Sequence, residues 1–349
     1  GNALFHFDGN LFYGDGTFYV TPAGVVNGVG SGLTALPGDA IVGAVPRAAM
    51  TNTWLRYTTP EQWGAVGNGV ADDTAAVQAA INSRQTVVFT AGSNYLASNL
   101  ECTNNTVLLG YGSKLTFLAG STGYLLNTRS NNGVVIAGLE LDGREVSLPT
   151  SDLNRNGLRF NCYSVGGMLN AVTAHGFAGK GFDIYGPCVG IGYTYTNPCA
   201  AMFNIVAYYN NKGIQIGTTN AGNYAEYTTI TGFKACKNWI GMVLDAGNVT
   251  VLNGHVDNNY YGLIMPGTAG NNGHGIISGC TFNHNDYGGL FFTNLQYGMH
   301  LPNNIQYGST NVFSGCSGIV YENGTMDCQA VIFDGGGPNY IRNNFFNGS

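Results

Sequence analysis

The feature that most limits the folds open to this chain is a short motif that recurs through its second half. The motif has an apolar residue, a polar turn that usually contains Asn, then a glycine and three residues typical of strands. Its copies are VAYYNNKGIQI, FKACKNWIGMVL, HVDNNYYGLIM, FNHNDYGGLFF and VFSGCSGIVY. With GKGFDI added, the aligned glycines are Gly181, Gly213, Gly241, Gly262, Gly289 and Gly318, at spacings of 32, 28, 21, 27 and 29 residues. Such a period predicts a parallel β-solenoid, because each coil buries its apolar side chains only against neighbouring coils.

Composition favours the same architecture. The chain holds 54 Gly among 349 residues, 21 Tyr, 18 Phe and only 9% charged residues, a balance typical of many short strands joined by tight turns. A hydrophobic fraction of 44% argues against disorder. A β-propeller would need blades of roughly 40 residues, and a sandwich would show hairpin dipeptides between alternating runs.

The abundant asparagines fit a solenoid as well. Asn tolerates the left-handed turn conformation, and its amide can bond to the equivalent amide one coil further on. We therefore expect columns of asparagines with a structural role.

Charge and cysteine usage exclude several classes of protein. With a net charge of −6 and 13 Lys plus Arg in no large cluster, the chain is not expected to bind nucleic acid. The eight cysteines form no CxxC pair, which predicts that they are small buried residues and that no structural zinc is bound. Cys188 and Cys199 could close one loop by a disulfide bond. No spaced Asp/Asn run predicts a calcium loop, so no metal or cofactor is expected. No apolar segment of ~20 residues or signal core is present, which predicts no membrane insertion.

The stretch EQWGAVGNGVADDTAAVQAAIN places two aspartates before a segment without glycine. Asp72 or Asp73 can accept a hydrogen bond from the free amides at a helix start. Apolar residues at helical spacing follow, at Ala76, Val77, Ala80 and Ile81. The stretch therefore predicts a short helix near residues 72–83, in which the aspartates are caps rather than catalytic groups.

The same stretch resembles the opening motif of the pectate-lyase-like right-handed β-helix superfamily, in the form found in bacteriophage tailspikes and related polysaccharide-degrading proteins. The matching residues are Trp63, Gly64, Ala65, Gly67, Gly69, Asp72, Asp73, Thr74, Ala76, Gln78, Ala80 and Ile81. At position 68 the chain has Asn where Asp is usual. The motif covers about 20 residues and is specific for fold but weak for reaction type, since hydrolases, lyases, esterases and inactive binders share it.

The resemblance implies an all-β fold, a right-handed parallel β-helix with a short N-terminal capping helix. It also implies a homotrimer in the phage virion that acts on polysaccharide at the bacterial cell surface. Residues 1–55, which open with the aromatic-rich FHFDGNLFYGDGTFYV, are expected to form a small β-rich neck module and linker. They would join the β-helix of residues 56–349 to an upstream virion-attachment part.

Carboxylates are few enough to be compared almost exhaustively. The fourth residue after each aligned glycine gives the column Tyr185, Gly217, Asp245, Pro266, Thr293 and Glu322. Asp245 and Glu322 would lie three coils and about 14 Å apart, too far for a glycosidase pair.

A second alignment, of TITG, VLNG and IISG, stacks Glu226 with Asn248 and Gly273, which would bring Glu226 within roughly 5 to 10 Å of Asp245. In such a pair one carboxyl serves as acid while its partner activates water. The predicted catalytic residues are therefore Glu226 and Asp245, with Asp183 and Asp257 as neighbouring carboxylates. The alternative is that these carboxylates cap turns and bind solvent or cations.

Residues suited to hold the sugar lie in the same coils. His255 is expected to orient water or sugar beside the carboxylates. The aromatic residues are Tyr208, Tyr209, Tyr227, Trp239, Tyr260 and Tyr261, of which Tyr227, Trp239 and Tyr260 are the predicted sugar contacts. Exposed rings would stack on sugars, whereas buried rings would only pack the helix.

A second constellation lies in LDGREVSLPTSDLNRNGLRF, which we interpret as a long loop between coils. It holds Asp142, Arg144, Glu145, Asp152, Arg155 and Arg159. Arg155 and Arg159 are predicted to hold an acidic sugar, and a lyase would need such cations to stabilise the carbanion beside a uronate. A solvated or trimer-contacting loop is the alternative.

The resemblance, together with the carboxylate pair, implies a phage tailspike that binds and cleaves bacterial surface polysaccharide (O-antigen, capsule or exopolysaccharide) by glycoside hydrolysis. A polysaccharide lyase acting on an acidic glycan and a non-catalytic glycan-binding fibre are the two alternatives.

Overall fold

The structure is a computed structural model. It describes residues 4–7, 10–13, 18–20, 26–28, 57–84, 86–129, 131–162, 166–186, 200–217, 225–267, 274–295, 298–328 and 330–347. The chain divides into two compact units, Gly1–Arg56 and Tyr57–Ser349.

The first unit contains a four-stranded antiparallel sheet in which each strand pairs with the next one in sequence. Its strands are Leu4–Phe7, Asn10–Tyr13, Phe18–Val20 and Val26–Gly28. The aromatic-rich runs of the sequence therefore form strands, as predicted.

The second unit is a parallel β-helix with three sheet faces. Val107–Phe117 and Val135–Asp142 each run from face 1 into face 2. Face 1 also comprises Tyr57–Thr58, Thr86–Val88, Met168–Asn170, Ala201–Phe203, Thr229–Thr231, Val249–Leu252, Gly275–Ser278, Met299–Pro302, Val320–Glu322 and Tyr340–Arg342. Face 2 comprises Asn68–Asp72, Asn94–Ala97, Thr173–His175, Val206–Tyr208, Lys234–Cys236, His255–Asp257, Thr281–Asn283, Ile305–Tyr307, Thr325–Asp327 and Phe345–Phe346. Face 3 comprises Leu100–Glu101, Gly123–Asn127, Arg155–Asn161, Lys180–Tyr185, Lys212–Ile216, Ile240–Leu244, Tyr261–Met265, Gly288–Thr293, Thr310–Ser314 and Ala330–Asp334. The predicted fold class is confirmed.

The core lies between the three faces. Successive side chains of a strand point to opposite sides, so every second residue of each strand enters the core. On face 3 one inward column consists of Leu158, Phe182, Ile214, Met242, Leu263 and Leu290, all with 0% exposure. Burying each such side chain stabilises the fold by about 1.5–3 kcal/mol.

The corner between face 1 and face 2 is short and regular. From residue 171 onward it is always two residues long. Its first residue has positive φ, between 52° and 64°, in Ala171, Asn204, Gly232, Asn253, Gly279, Asn303, Asn323 and Asn343. Asn and Gly adopt this left-handed conformation at low cost, which explains their recurrence here. The connections from face 3 to face 1 instead vary, from four residues after Leu244 to fifteen after Tyr185.

A second set of asparagines forms a ladder at the corner between face 2 and face 3. Asn210, Asn238, Asn259 and Asn285 are buried, and in each step the side-chain Oδ1 accepts the backbone N–H of the preceding member at 2.9–3.1 Å. The side-chain amides also bond to one another at 3.0–3.1 Å. The predicted asparagine columns are thus confirmed.

The α-helix Thr74–Asn82 packs Val77, Ala80 and Ile81 into the first coils. Asp72 accepts a hydrogen bond from the Thr74 N–H at 2.9 Å, as predicted for a helix start. Asp73 does not cap with its side chain. Its buried carboxylate accepts the N–H groups of Val66 at 2.7 Å and Gly67 at 3.1 Å, so it fixes the glycine-rich turn instead.

The repeat alignment holds for five of its six glycines. The face 3 pairings keep Gly181 to Gly289 in register, but opposite Gly289 stands Thr310. Gly318 lies in a turn with a φ of 71°. Glu322 consequently lies on face 1 and not in the column of Asp245. The residue that follows Thr293 in that column is Ser314. Cys188 and Cys199 lie outside the described residues.

Candidate functional site

Face 3 carries several of the predicted site residues. Arg155 and Arg159 lie in its third strand and Asp183 in its fourth, and Arg159 is directly opposite Asp183 in the parallel register. The prediction of a loop over residues 141–160 is therefore wrong at both ends, since residues 141–142 end the strand Val135–Asp142 and residues 155–160 belong to the strand Arg155–Asn161. Asp245 directly follows the sixth strand. Asp183 and Asp245 are almost buried, with 2% and 3% of their surface exposed.

Glu226 lies in the connection from face 3 to face 1. Thr229 pairs with Thr250, so Gly247 stands level with Glu226, and the predicted alignment with Asn248 is wrong by one residue. Asp245 lies two residues before Gly247. Glu226 and Asp245 thus occupy the same corner in neighbouring coils, while the distance between their carboxylates stays a prediction.

Asp257 and His255 lie on face 2, apart from Asp183 on face 3. Asp257 stands between Cys236 and Asn283 in register, and its Oδ2 accepts a hydrogen bond from the Asn258 side chain at 3.0 Å. Both residues are predicted to neighbour Glu226 and Asp245, which lie at the corner between face 3 and face 1, whereas the structure places them in a strand of face 2. The sequence repeat does not show on which face a strand lies.

Asp183 is the centre of a charged cluster on face 3. Lys180 Nζ lies 3.0 Å from its Oδ1, and Arg159 Nε lies 3.8 Å from its Oδ2. The Tyr124 hydroxyl donates a hydrogen bond to Oδ2. Burial and the Asp183 charge raise the pKa of Tyr124, so its hydroxyl keeps its proton. Among these residues, sequence reasoning missed Tyr124 and Lys180.

Three buried polar atoms in and beside this cluster have no hydrogen-bond partner among the described residues. Gln215 is directly opposite Asp183 in the next coil, and it is 8% exposed. Its Nε2 donates to the Gly217 carbonyl at 3.0 Å, whereas its Oε1 has no hydrogen-bond partner among the described residues. The buried Nε atoms of Arg155 and Arg159 likewise have none there.

The aromatic residues at the corner between face 2 and face 3 form a self-stacked row. Trp239 stacks on Tyr260 with centroids 4.0 Å apart, and Tyr260 stacks on Tyr287 at 5.7 Å. Tyr261 meets Tyr260 and Tyr287 edge to face. The ring faces of Tyr260 are therefore covered by protein, and the exposed ring is Tyr287, at 54%. Tyr227, beside Glu226, is 44% exposed.

Face 2 carries a polar cluster that the sequence did not predict. His175 Nε2 lies 3.0 Å from Glu140 Oε1, and Lys114 Nζ lies 3.2 Å from Asp142 Oδ2. The His175 ring stacks on Tyr208 at 4.6 Å. Glu140 and Asp142 alternate in LELD, which indicates a shared face, but His175 joins them only through the register of a later coil.

Within the described part of the chain, no group of three His, Cys, Asp or Glu side chains is arranged to hold a metal ion. No helix in that part is long and apolar enough to cross a membrane.

By its fold the chain is a parallel β-helix protein, and comparison with known proteins adds more particular similarities. It is 32% identical over 140 residues to a capsule K30/K69-specific depolymerase of Klebsiella phage K64-1, across 36% of this chain and 18% of that protein. It is 45% identical over 60 residues to depolymerase 1, also K30/K69-specific, of Klebsiella phage K5-2, across 17% of this chain and 7% of that protein. The matched regions are therefore less than a fifth of the relatives' lengths.

Among solved structures, PfbA, a surface adhesin of Streptococcus pneumoniae, superposes with a TM-score of 0.53 at 12% identity. The match covers 78% of this chain and 79% of PfbA, and it shows a shared fold. No protein-family model matches the chain.

Proposed function

We propose that this chain is part of a phage tailspike that binds and cleaves bacterial surface polysaccharide. The observation that carries the proposal is the sequence similarity to two phage capsule depolymerases, in a β-helix whose face 3 carries a charged cluster around Asp183. A straight sheet face several coils long suits an extended polymer, because successive sugars can contact successive coils.

The proposed reaction is glycoside hydrolysis at the corner shared by Glu226 and Asp245. One carboxyl donates its proton to the oxygen of the glycosidic bond as that bond breaks. The partner carboxylate either removes a proton from the attacking water or first bonds to the sugar carbon, depending on the separation of the two groups. Asp183, held by Lys180 and Tyr124, would position the sugar rather than exchange protons.

A polysaccharide lyase is the second candidate, and the cations beside Asp183 favour it. In elimination, Arg159 or Lys180 would stabilise the negative charge that develops on a uronate when its C5 proton is removed. The bond between C4 and the leaving oxygen then breaks, and a double bond forms between C4 and C5. A basic group at the site takes the C5 proton, and the leaving oxygen is protonated as it departs. Water is not consumed, so the products differ from those of hydrolysis.

Product analysis tests these candidates. The chain would be incubated with purified Klebsiella K30 and K69 capsular polysaccharides. New saturated reducing ends would support hydrolysis, and absorbance from an unsaturated uronate would support a lyase. Binding of intact polymer would indicate a glycan-binding fibre, and neither cleavage nor binding would contradict the proposed substrate.

Amide variants test the site. Glu226→Gln and Asp245→Asn should each lower cleavage at least about 100-fold while retaining binding, since a positioned acid or base contributes 10²–10⁴-fold. Asp327→Asn, on face 2, is the matched control and should keep wild-type activity. Full activity in both site variants would refute the assignment, and Asp183→Asn would then be the next variant to measure.

The proposal extends to assembly. After Gln215, the outward column of face 3 becomes apolar, with Val243, Ile264, Phe291 and Val312 in register. We propose that this part of face 3 packs against other copies in a homotrimer and that residues 1–55 join it to the upstream virion-attachment part. Sedimentation equilibrium would test the trimer, and a mass near that of one 36.7 kDa chain at all concentrations would exclude it.

A further inference from the structure

The polar cluster on face 2 is separate from the carboxylates at the corner between face 3 and face 1. It is built from three neighbouring coils: Lys114 comes from one strand, Glu140 and Asp142 from the next, and His175 from the third. The parallel register places Lys114 opposite Glu140, and Asp142 opposite His175. The side chains of Lys114 and Glu140 are 32% and 45% exposed. The cluster is therefore open to solvent, unlike the almost buried Asp183.

Two contacts orient the His175 ring. Its Nε2 lies 3.0 Å from Glu140 Oε1, and the ring stacks on Tyr208 of the next coil with planes within 5° of parallel. An ionised carboxylate only accepts hydrogen bonds, so Nε2 carries the ring proton and Nδ1 keeps its lone pair. Nδ1 makes no hydrogen bond within the described part of the chain, and Asp142 Oδ1 is 3.8 Å away. His175 can thus take a proton from a water molecule through Nδ1.

Lys114 supplies a positive charge beside this base. Its Nζ lies 3.2 Å from Asp142 Oδ2, and His175 Nδ1 lies 3.8 Å from Oδ1 of the same carboxylate. The backbone N–H of Arg144 donates to that Oδ1 at 2.7 Å. Asp142 therefore holds the ammonium group near the imidazole, where it can stabilise negative charge on an oxygen of a ligand.

The lysine distinguishes between two reactions that such acids and bases could catalyse. Glycoside cleavage passes through a transition state with positive charge on the sugar. An ammonium group within 3.9 Å of both Glu140 and Asp142 would destabilise that charge. Ester hydrolysis instead places negative charge on the carbonyl oxygen, which the same ammonium group would stabilise. The arrangement therefore favours ester hydrolysis.

An ordered segment forms one edge of the cluster. The N–H of Gly143 donates to the His175 carbonyl at 2.8 Å, and the N–H of Glu145 donates to the carbonyl of the residue after His175 at 2.9 Å. Val146 follows and is 97% exposed. The segment is thus fixed to the coil that carries His175 and extends into solvent beside it, where it can contact the sugar that bears the ester.

We infer that face 2 carries a second active site, which removes neutral acyl groups such as acetyl from sugar hydroxyls. His175 Nδ1 takes a proton from water as the water oxygen bonds to the acyl carbon, and the carbonyl oxygen becomes an oxyanion beside Lys114. When the carbonyl forms again, the bond to the sugar oxygen breaks and His175 returns the proton to that oxygen. The products are a carboxylic acid and a free sugar hydroxyl.

The charge of the cluster limits the acyl group. Two carboxylates stand against one lysine, so an acyl group with a negative charge of its own would be repelled. The inference goes beyond the proposed function, because deacylation leaves every glycosidic bond intact. It rests on that function only for the choice of a polysaccharide as the substrate.

The first experiment measures acetate release. Partially O-acetylated dextran and chemically O-acetylated Klebsiella K30 polysaccharide would each be incubated with the chain at pH 7, and loss of the acetyl methyl signal would be followed by NMR. The wild-type chain should release acetate from at least one of the two polymers. Release from neither polymer above the rate in buffer would overturn the inference.

Variants then assign the reaction to the cluster. His175→Gln and Lys114→Met should each lower acetate release at least about 100-fold, since they remove the base and the cation that stabilises the oxyanion. His300→Gln is the matched control on face 1, where His300 Nε2 lies 2.7 Å from Glu322, and it should keep the wild-type rate. Unchanged acetate release in His175→Gln, with its melting temperature preserved, would refute the assignment.

Glu140 is a positioning residue, and its variant has a distinct signature. The amide of Glu140→Gln can donate to Nε2 and so move the ring proton onto Nδ1. This variant should lower kcat at least about 100-fold and leave KM unchanged. A lower melting temperature with an unaltered kcat would show that the ion pair is only structural.

Measuring polymer cleavage and acetate release on the same variants separates this inference from the proposed function. Glu226→Gln should keep acetate release, and His175→Gln should keep cleavage of native polysaccharide. Acetate release without cleavage of any polymer would keep the inference and refute the depolymerase. Cleavage without acetate release would do the reverse, and loss of both activities in Glu226→Gln would contradict two separate sites.

Discussion

Trp239 and Tyr260 stack face to face across neighbouring coils, with ring centroids 4.0 Å apart and planes within 4° of parallel. Tyr287 covers the opposite side of Tyr260 at 5.7 Å. Aromatic pairs contribute about 0.5–1.5 kcal/mol each beyond the area they bury. The row therefore contributes to the stability of the corner, and its terminal ring, Tyr287, is the exposed one.

Tyr260→Ala should accordingly lower the free energy of unfolding by about 2 kcal/mol or more, since two stacking contacts are lost. Tyr287→Ala removes one contact of a half-exposed ring and should cost about 1 kcal/mol or less. Denaturant unfolding monitored by circular dichroism measures both. A larger loss in Tyr287→Ala than in Tyr260→Ala would contradict the prediction, because it would show that the terminal ring stabilises the corner more than the middle ring, Tyr260, does.

The asparagine ladder makes a second prediction. Asn238 accepts from the Asn210 N–H at 3.0 Å and donates to the Ala207 carbonyl at 3.1 Å, both inside the fold. Asn238→Ala leaves those buried groups unsatisfied and should cost roughly 2–4 kcal/mol. Asn170→Ala, on the partly exposed side of face 1, is the control and should cost less than about 1 kcal/mol. Similar losses in the two variants would contradict the structural role of the ladder.

The adjacent aspartates of the opening motif should respond differently to truncation. Asp73 is 2% exposed and accepts two backbone amides, from Val66 and Gly67, so Asp73→Ala should cost roughly 3 kcal/mol or more. Asp72 is exposed and accepts one, from Thr74, so Asp72→Ala should cost about 1 kcal/mol. Thermal unfolding of the two variants side by side measures the difference, and equal losses would contradict the role of the Asp73 carboxylate in fixing the glycine-rich turn.

Cys280 gives a prediction for alkaline pH. Burial raises the pKa of its thiol from 9.0 to about 11, so the folded chain holds this proton more tightly than the unfolded chain does. The resulting stability is complete below the unfolded pKa and is lost as pH rises through the folded value. Between pH 8.5 and 11 this loss should approach about 2–3 kcal/mol.

Cys280→Ala isolates that contribution from other groups that titrate in the same range. The variant should show a smaller fall in the free energy of unfolding over this interval than the wild-type chain. Identical pH profiles would show that the Cys280 thiol does not contribute.

The fold was predictable because its signals are local or regularly repeated. The opening motif lies within about 20 residues, and the column Tyr185, Gly217, Asp245 follows from one constant offset after each glycine. The alignment failed at Gly318 because the coil there shortens to 21 residues and a turn glycine resembles the one in the strand.

The charged cluster was only partly predictable for a related reason. Tyr124 and Asp183 are 59 residues apart, and their contact depends on the length of the connection before strand Arg155–Asn161. Likewise, the separation of Asp257 from Asp183 depends on which face each strand occupies. Residue types alone indicate neither the length of that connection nor the face that a strand occupies, because the same sequence spacing fits several registers.

The contrast between a two-residue corner and a connection of four to fifteen residues determines where this protein can change length. An extra residue at the corner between face 1 and face 2 would turn the next strand over and expose its core side chains. An extra residue between face 3 and face 1 is absorbed before the next strand begins, so the following coils keep their positions. Insertions and deletions are therefore tolerated at the connection beside Glu226 and Asp245, where, under the proposed function, a new loop would alter which polymer fits without refolding the rest.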